Sequence, residues 1–150
     1  MSNSTRYGII GAGMMAQEHI RNIYLLDGAS VTAVCDPVQT SLSWSESTLR
    51  SIDGADLSQV QYFTDHRDML AAGVVDALII ASPNNTHIDV LRDTLQTNLP
   101  HLVEKPLCTT LEDALAGSQM HGRRCELSPA VPGACSAAES GLCRPVLRCA

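Results

Sequence analysis

The sequence predicts an α/β fold of the doubly wound type, a parallel sheet with helices on both faces. Three observations predict it. Strand-like and helix-like runs alternate five times between residues 6 and 113, the order that specifies parallel pairing. The strand runs are apolar nearly throughout, as in strands buried on both sides. The first of them runs into GAGMMA, a glycine turn ahead of a helix.

Residues 6–10 read as the first strand, ending at the glycines. Residues 14–26 follow as a helix, with Met15, Ile20, Ile23, Tyr24 and Leu26 close to the helical period and Asp27-Gly28 as its stop. Residues 31–35 form a second buried strand, closed by Asp36-Pro37. Residues 38–53 are polar, with Leu42, Leu49 and Ile52, and predict a weak helix and a loop. A short strand is expected over 60–63, then a small helix capped by Asp65, with Asp68 in its first turn and Gly73 closing it. VDALIIA, residues 75–81, is the clearest strand. A helix over 85–97 carries Ile88, Leu91 and Leu95 on one stripe. Residues 101–103 start a fifth strand, and Thr110 with Asp113 forms a capping box for another helix. The expected strand order is 3-2-1-4-5.

The totals bound the function. A chain of 150 residues with 45% hydrophobic and 17% charged side chains suits one soluble domain. Aromatic residues make up 3%, so the core must come from Ala, Val, Ile and Leu. A net charge of −6 argues against a nucleic-acid partner. No apolar run approaches the roughly 20 residues of a membrane helix, and the first residues lack the basic-then-apolar pattern of a signal peptide. A cytoplasmic location is therefore expected.

Gly11, Gly13 and Ala16 make Gly-x-Gly-x-x-Ala between strand and helix. Gly11 permits the tight turn, Gly13 lets backbone approach a pyrophosphate, and Ala16 lets the helix pack closely on the strand. The helix start then offers free N–H groups and the positive end of its dipole to phosphate. Asp36 ends the second strand 25 residues past Gly11, near the spacing of about 20 for a ribose-binding acid. It could also be a simple strand-end cap. Its carboxylate would repel a 2′-phosphate, and no arginine follows until Arg50, which favours NAD over NADP.

SPNNTH, residues 82–87, ends the fourth strand on the same rim. Asn85 and Thr86 read as helix caps, and His87 as either a site residue or a cap. On that rim VEKPL also places Lys105, the only lysine of the chain, between Glu104 and Pro106. Pro106 fixes the chain and favours extended geometry at Lys105, and Glu104 stands where it could hold the ammonium. A lysine so placed beside a nicotinamide can bind a substrate hydroxyl and shuttle its proton.

Together GIIGAGMMA, CDP, SPNNTH and VEKPL resemble the N-terminal domain of the glucose-fructose oxidoreductase/inositol dehydrogenase (Gfo/Idh/MocA) family, over roughly residues 5–119. The resemblance implies a Rossmann domain that binds NAD. Gly11, Gly13, Met14 and Met15 would line the pyrophosphate and Asp36 would hold the ribose. Ser82, Pro83 and Asn84 would face the cofactor with His87 close by. Glu104, Lys105 and Pro106 would form the nicotinamide-side element, with Lys105 as the catalytic lysine. Family members transfer hydride between NAD(P) and hydroxyl or carbonyl carbons of sugars, cyclitols and related compounds.

The composition changes near Met120. Residues 1–119 hold 6 basic and 14 acidic side chains, whereas residues 120–150 hold 4 basic and 2 acidic ones and four of the six cysteines. No C-x-x-C pair occurs there, so zinc spacing is absent and no metal is expected. The expectation is a dinucleotide-binding domain over 1–119 and an irregular, frameshifted or disordered tail over 120–150. The sheet would stop after its fifth strand, with a second domain missing. Such a chain is expected to bind NAD without turnover and to associate through its uncovered edge. The alternative is a Rossmann module that senses a nucleotide without chemistry.

Overall fold

The computed structural model describes residues 4–113, 115, 125–127 and 147–149. Strand β1 (Thr5–Ile10) leads through the glycine turn into α1 (Met14–Ile23), and β2 (Ala29–Cys35) into α2 (Gln39–Arg50). A 3-10 turn, Leu57–Gln59, precedes β3 (Gln61–Phe63), which leads to α3 (His66–Ala72) and β4 (Ala77–Ile80). A second 3-10 turn, Asn84–Thr86, opens α4 (His87–Thr94), and β5 (His101–Val103) follows.

The five strands are parallel and ordered β3-β2-β1-β4-β5, as expected. Their last residues stand in register across the sheet: Phe63 beside Cys35, Cys35 beside Ile10, Ile10 beside Ile80, and Ile80 beside Val103. All the segments that follow these strands therefore leave from one rim.

Burial on both faces follows from the continuous apolar strands, because successive side chains point to opposite sides. Ile9 and Ile79 join the core under α1 and α2, with Ala16, Ile20, Leu42 and Leu49. Their neighbours Ile10 and Ile80 join the core under α3 and α4, with Met69, Ile88 and Leu91. On the α1 side, a trough of about 540 Å³ lies along β4 and β5, lined by Tyr7, Ile23, Leu26, Ile79 and Leu102 among others.

Two elements differ from expectation. The polar stretch after β2 is a full helix of 12 residues rather than a weak one. It buries Leu42, Ser45, Thr48 and Leu49, and its hydroxyls turn back on its own carbonyls, Ser43 to Gln39 at 3.1 Å and Ser47 to Ser43 at 2.9 Å. Helix α4 starts later than the sequence pattern suggests, and no side chain caps it. The Thr86 hydroxyl instead donates to the Pro83 carbonyl at 2.7 Å. The other caps form as read: Asp65 accepts from the Arg67 N–H at 2.8 Å, Gly73 is left-handed at φ 64°, and Thr110 accepts from the Asp113 N–H at 3.0 Å.

The parallel part of the sheet ends at β5, but two short strands continue it. β7 (Leu147–Cys149) pairs antiparallel with β5 at His101, and β6 (Cys125–Leu127) pairs antiparallel with β7. An irregular tail was the expectation for 120–150; apart from these strands, that segment lies outside the described residues.

Candidate functional site

The rim brings together the ends of β1, β2, β4 and β5, and with them all the residues the sequence singled out. Gly11 has φ +91°, a conformation natural only to glycine. A Cβ there would lie 2.4 Å from the Ser82 amide nitrogen, so the first turn and the 82–87 turn touch backbone to backbone. Gly13 is different. Its φ of −75° and ψ of −164° suit any residue, and a Cβ would meet nothing within 4 Å. The fold itself does not require a glycine there.

Gly13 is also the cap position of α1, and no side chain caps that helix. The first turn carries no acid, so the positive dipole end is uncompensated from within the helix. Met14 and Met15 flank it, 76% and 44% exposed, while Ala16 is fully buried against the sheet.

Asp36 is buried, and both of its oxygens are used. Oδ2 accepts from the Ala12 N–H at 2.8 Å and Oδ1 from the Val38 N–H at 2.8 Å. The carboxylate thus ties the end of β2 to the glycine turn. Each oxygen keeps a second lone-pair direction for a ligand hydroxyl. The strand-end cap and the ribose acid are thus compatible roles for one side chain. Next to it, Cys35 is buried, and burial with the carboxylates of Asp65, Asp36 and Asp68 pushes its thiol up to about 12. It is a packing residue.

Pro83, Asn84, Lys105 and Pro106 are exposed on the rim, and Ser82 is half-buried. The His87 ring is fully buried beneath the rim. Its Nε2 lies 2.8 Å from the Ser82 carbonyl and its Nδ1 3.0 Å from the Pro106 carbonyl, so both nitrogens are occupied by backbone. His87 thus stands under the turns that follow β4 and β5 and joins them. The Lys105–Pro106 bond is cis.

Glu104 also departs from expectation. Its carboxylate turns away from the Lys105 ammonium to His19 on α1, with Oε1 2.6 Å from His19 Nε2. Its Oε2 accepts the Lys105 main-chain N–H at 3.3 Å. No local pattern in the sequence marks this partner, 85 positions away.

The arrangement has the parts of a dinucleotide site, and comparison with known proteins names the family. Residues 5–124 match the family model of the oxidoreductase family with an NAD-binding Rossmann fold (GFO_IDH_MocA). The chain belongs to this family. It is 36% identical over 110 residues to the rhizopine catabolism protein MocA of Rhizobium meliloti, covering 73% of the chain and 31% of that protein. To an inositol 2-dehydrogenase of Corynebacterium glutamicum (strain R) it is 37% identical over 116 residues, 77% of the chain and 32% of that protein. It therefore spans about a third of the length of these curated relatives.

Two solved structures agree with it in fold. Myo-inositol dehydrogenase from Lactobacillus casei in complex with NAD(H) and myo-inositol superimposes with a TM-score of 0.66 at 28% identity, over 79% of this chain and 33% of that one. The WlbA dehydrogenase from Bordetella pertussis, in complex with NADH and UDP-GlcNAcA, gives 0.66 at 26% identity, over 80% and 32%. The family domain here carries its uncapped α1 start, Asp36 and Lys105 on a single rim. Among the described residues no helix is long and apolar enough to cross a membrane.

Proposed function

We propose that this chain is the dinucleotide-holding part of an oxidoreductase that moves hydride between NAD and a hydroxyl or carbonyl carbon of a sugar, cyclitol or related compound. The observation that carries the reading is Gly13, a glycine with ordinary backbone angles and open space in front of it at the uncapped start of α1. The fold has no use for the missing side chain, whereas a pyrophosphate lying on the N–H groups does.

NAD bound along the rim would supply the hydride acceptor. Gly11, Gly13, Met14 and Met15 would carry the pyrophosphate on main-chain N–H groups. Asp36 would accept from the ribose hydroxyls and repel a 2′-phosphate. The first arginine after it, Arg50, lies at the far end of α2 in an ion pair with Glu46, so Arg50 does not offset that repulsion, which favours NAD over NADP. Ser82, Pro83 and Asn84 would border the cofactor from β4. Glu104 and Pro106 would shape the nicotinamide end, and Lys105 would bind the substrate hydroxyl and take or return its proton.

Hydride transfer is proposed for the longer family protein, and NAD binding for this chain alone. A cytoplasmic setting and the lack of a nucleic-acid partner belong to the same proposal, supported by the acidic net charge of −6. Self-association belongs to it as well, supported by Leu25 and Leu26, which stand 82% and 56% exposed.

The test is an NAD titration of the chain and of its Gly13→Val variant, with melting followed in parallel. The variant should melt like the wild type and bind NAD at least about tenfold more weakly, a loss of about 1.4 kcal/mol. No binding by the wild type, or equal binding by both, overturns the reading.

A further inference from the structure

Lys105 is the middle residue of a three-residue element, and both of its neighbours are held by histidines from opposite faces of the sheet. From the α1 side, His19 reaches Glu104 at 2.6 Å; the two side chains are only 16% and 20% exposed. From the α4 side, the buried His87 ring spans the Ser82 and Pro106 carbonyls. The Lys105 side chain itself is exposed and pairs with no carboxylate within 4 Å among the described residues. Its position is therefore set through the main chain on either side of it.

The two holds differ in what they transmit. His87 joins two loops of the rim to each other. His19 joins the rim to α1, the helix whose start would hold the pyrophosphate. A carboxylate only accepts, so His19 Nε2–H donates to Glu104 Oε1, while Glu104 Oε2 accepts from the Lys105 N–H. One carboxylate thus connects the phosphate-side helix to the main chain of the lysine. Such a charge-assisted contact in a mostly buried setting is short and directional.

We propose that His19 is a positioning residue for Lys105, acting through Glu104, and that it makes occupancy of the α1 start felt at the lysine. This rests on the dinucleotide reading above for its ligand, but its geometric part does not. Nothing about the local sequence of α1 requires a histidine at this place; alanine or leucine would serve the helix better.

The single lysine makes the test direct. A chain labelled with [15N]lysine gives one backbone amide signal, that of Lys105. In the His19→Ala variant that signal should shift and broaden, because Glu104 loses the contact that orients it. In His19→Gln, whose amide nitrogen stands near the place of Nε2, it should return toward the wild-type position. Adding NAD should move the signal in the wild type and in His19→Gln, and move it much less in His19→Ala. Glu104→Met, of similar length and without an oxygen, should reproduce His19→Ala and carries the test if His19→Ala does not fold.

A Lys105 signal unchanged by both His19→Ala and Glu104→Met overturns the positioning role. An equal NAD response in wild type and His19→Ala overturns the transmission. If NAD leaves the wild-type signal and the whole chain untouched, the dinucleotide reading fails and transmission with it. The signal without ligand still decides whether His19 positions Lys105.

Discussion

The Gly11 Cα and the Ser82 main chain are so close that a Cβ on Gly11 would fall 2.4 Å from the Ser82 nitrogen and 2.5 Å from its Cα. Both obstacles are backbone, so neither can swing aside. Gly11→Ala must therefore part the turns after β1 and β4, besides placing alanine at φ +91°. The strain alone costs about 1–3 kcal/mol. Urea or thermal unfolding should show a clear loss of stability together with weaker NAD binding, in contrast to Gly13→Val, which should lose binding alone.

Asp36→Ala removes the acceptor from two main-chain N–H groups, those of Ala12 and Val38. Bonds to a charged acceptor contribute about 1.5–3 kcal/mol each. The variant should unfold at lower denaturant concentration, and Asp36→Asn, which keeps one acceptor, should lie between. Paired titrations should show both variants narrowing the gap between NAD and NADP, because the charge that repels a 2′-phosphate is gone.

Lys105→Ala should leave melting unchanged, since the side chain is exposed, and NAD affinity nearly so. In a longer family form it should abolish turnover. A collapse of NAD affinity instead would make Lys105 a ligand anchor and favour a nucleotide-sensing module.

Three hydrogen bonds from Arg6, two from its guanidinium and one from its main-chain N–H, hold the Asp76 carboxyl at about 2, below its ordinary 3.8. A carboxyl whose folded value is depressed stabilises the fold above its unfolded value. That contribution fades as the pH falls from about 4 to about 2. Asp76→Asn should be less stable than wild type at pH 7, and the difference should close toward pH 2. Both side chains are partly exposed, so added salt should shrink the effect.

Cys35 should resist alkylation at pH 8 in the folded chain and react once the chain is unfolded. Its thiol is raised to about 12, first by burial and then by nearby carboxylates. Mass mapping of the Cys35 peptide after a timed reaction reads this directly.

Most strands were legible because they are short apolar runs closed by a turn residue, and the rim followed from their parallel order. Spacing and a place at strand ends singled out Gly11, Asp36 and Lys105, and the structure sets all three on that rim. Helix α2 was read too weakly. Its serines and threonines are poor helix formers, and what holds it is the burial of Leu42 and Leu49 in the core shared with α1 and the sheet, a tertiary effect. The partners of Glu104 and the burial of His87 were invisible for a related reason. Both depend on which helix packs on which face, and the contacting residues stand 85 and 19 positions apart in the chain.

The central position of β1 has a consequence for synthesis. Its neighbours are β2, made soon after it, and β4, which begins about 70 residues later; β5 docks against β4 and not against β1. The glycine turn emerges early from the ribosome but closes onto Ser82 only when β4 has been made, and His19 finds Glu104 only after β5. Long-range closure of this kind is slow and leaves apolar strands waiting. A nascent chain ending before Pro106 would lack the complete grip, and NAD could help only after the fifth strand is out. Nucleotide should therefore protect ribosome-bound chains from proteolysis in a length-dependent step, placed at the length where Pro106 has cleared the ribosomal exit tunnel.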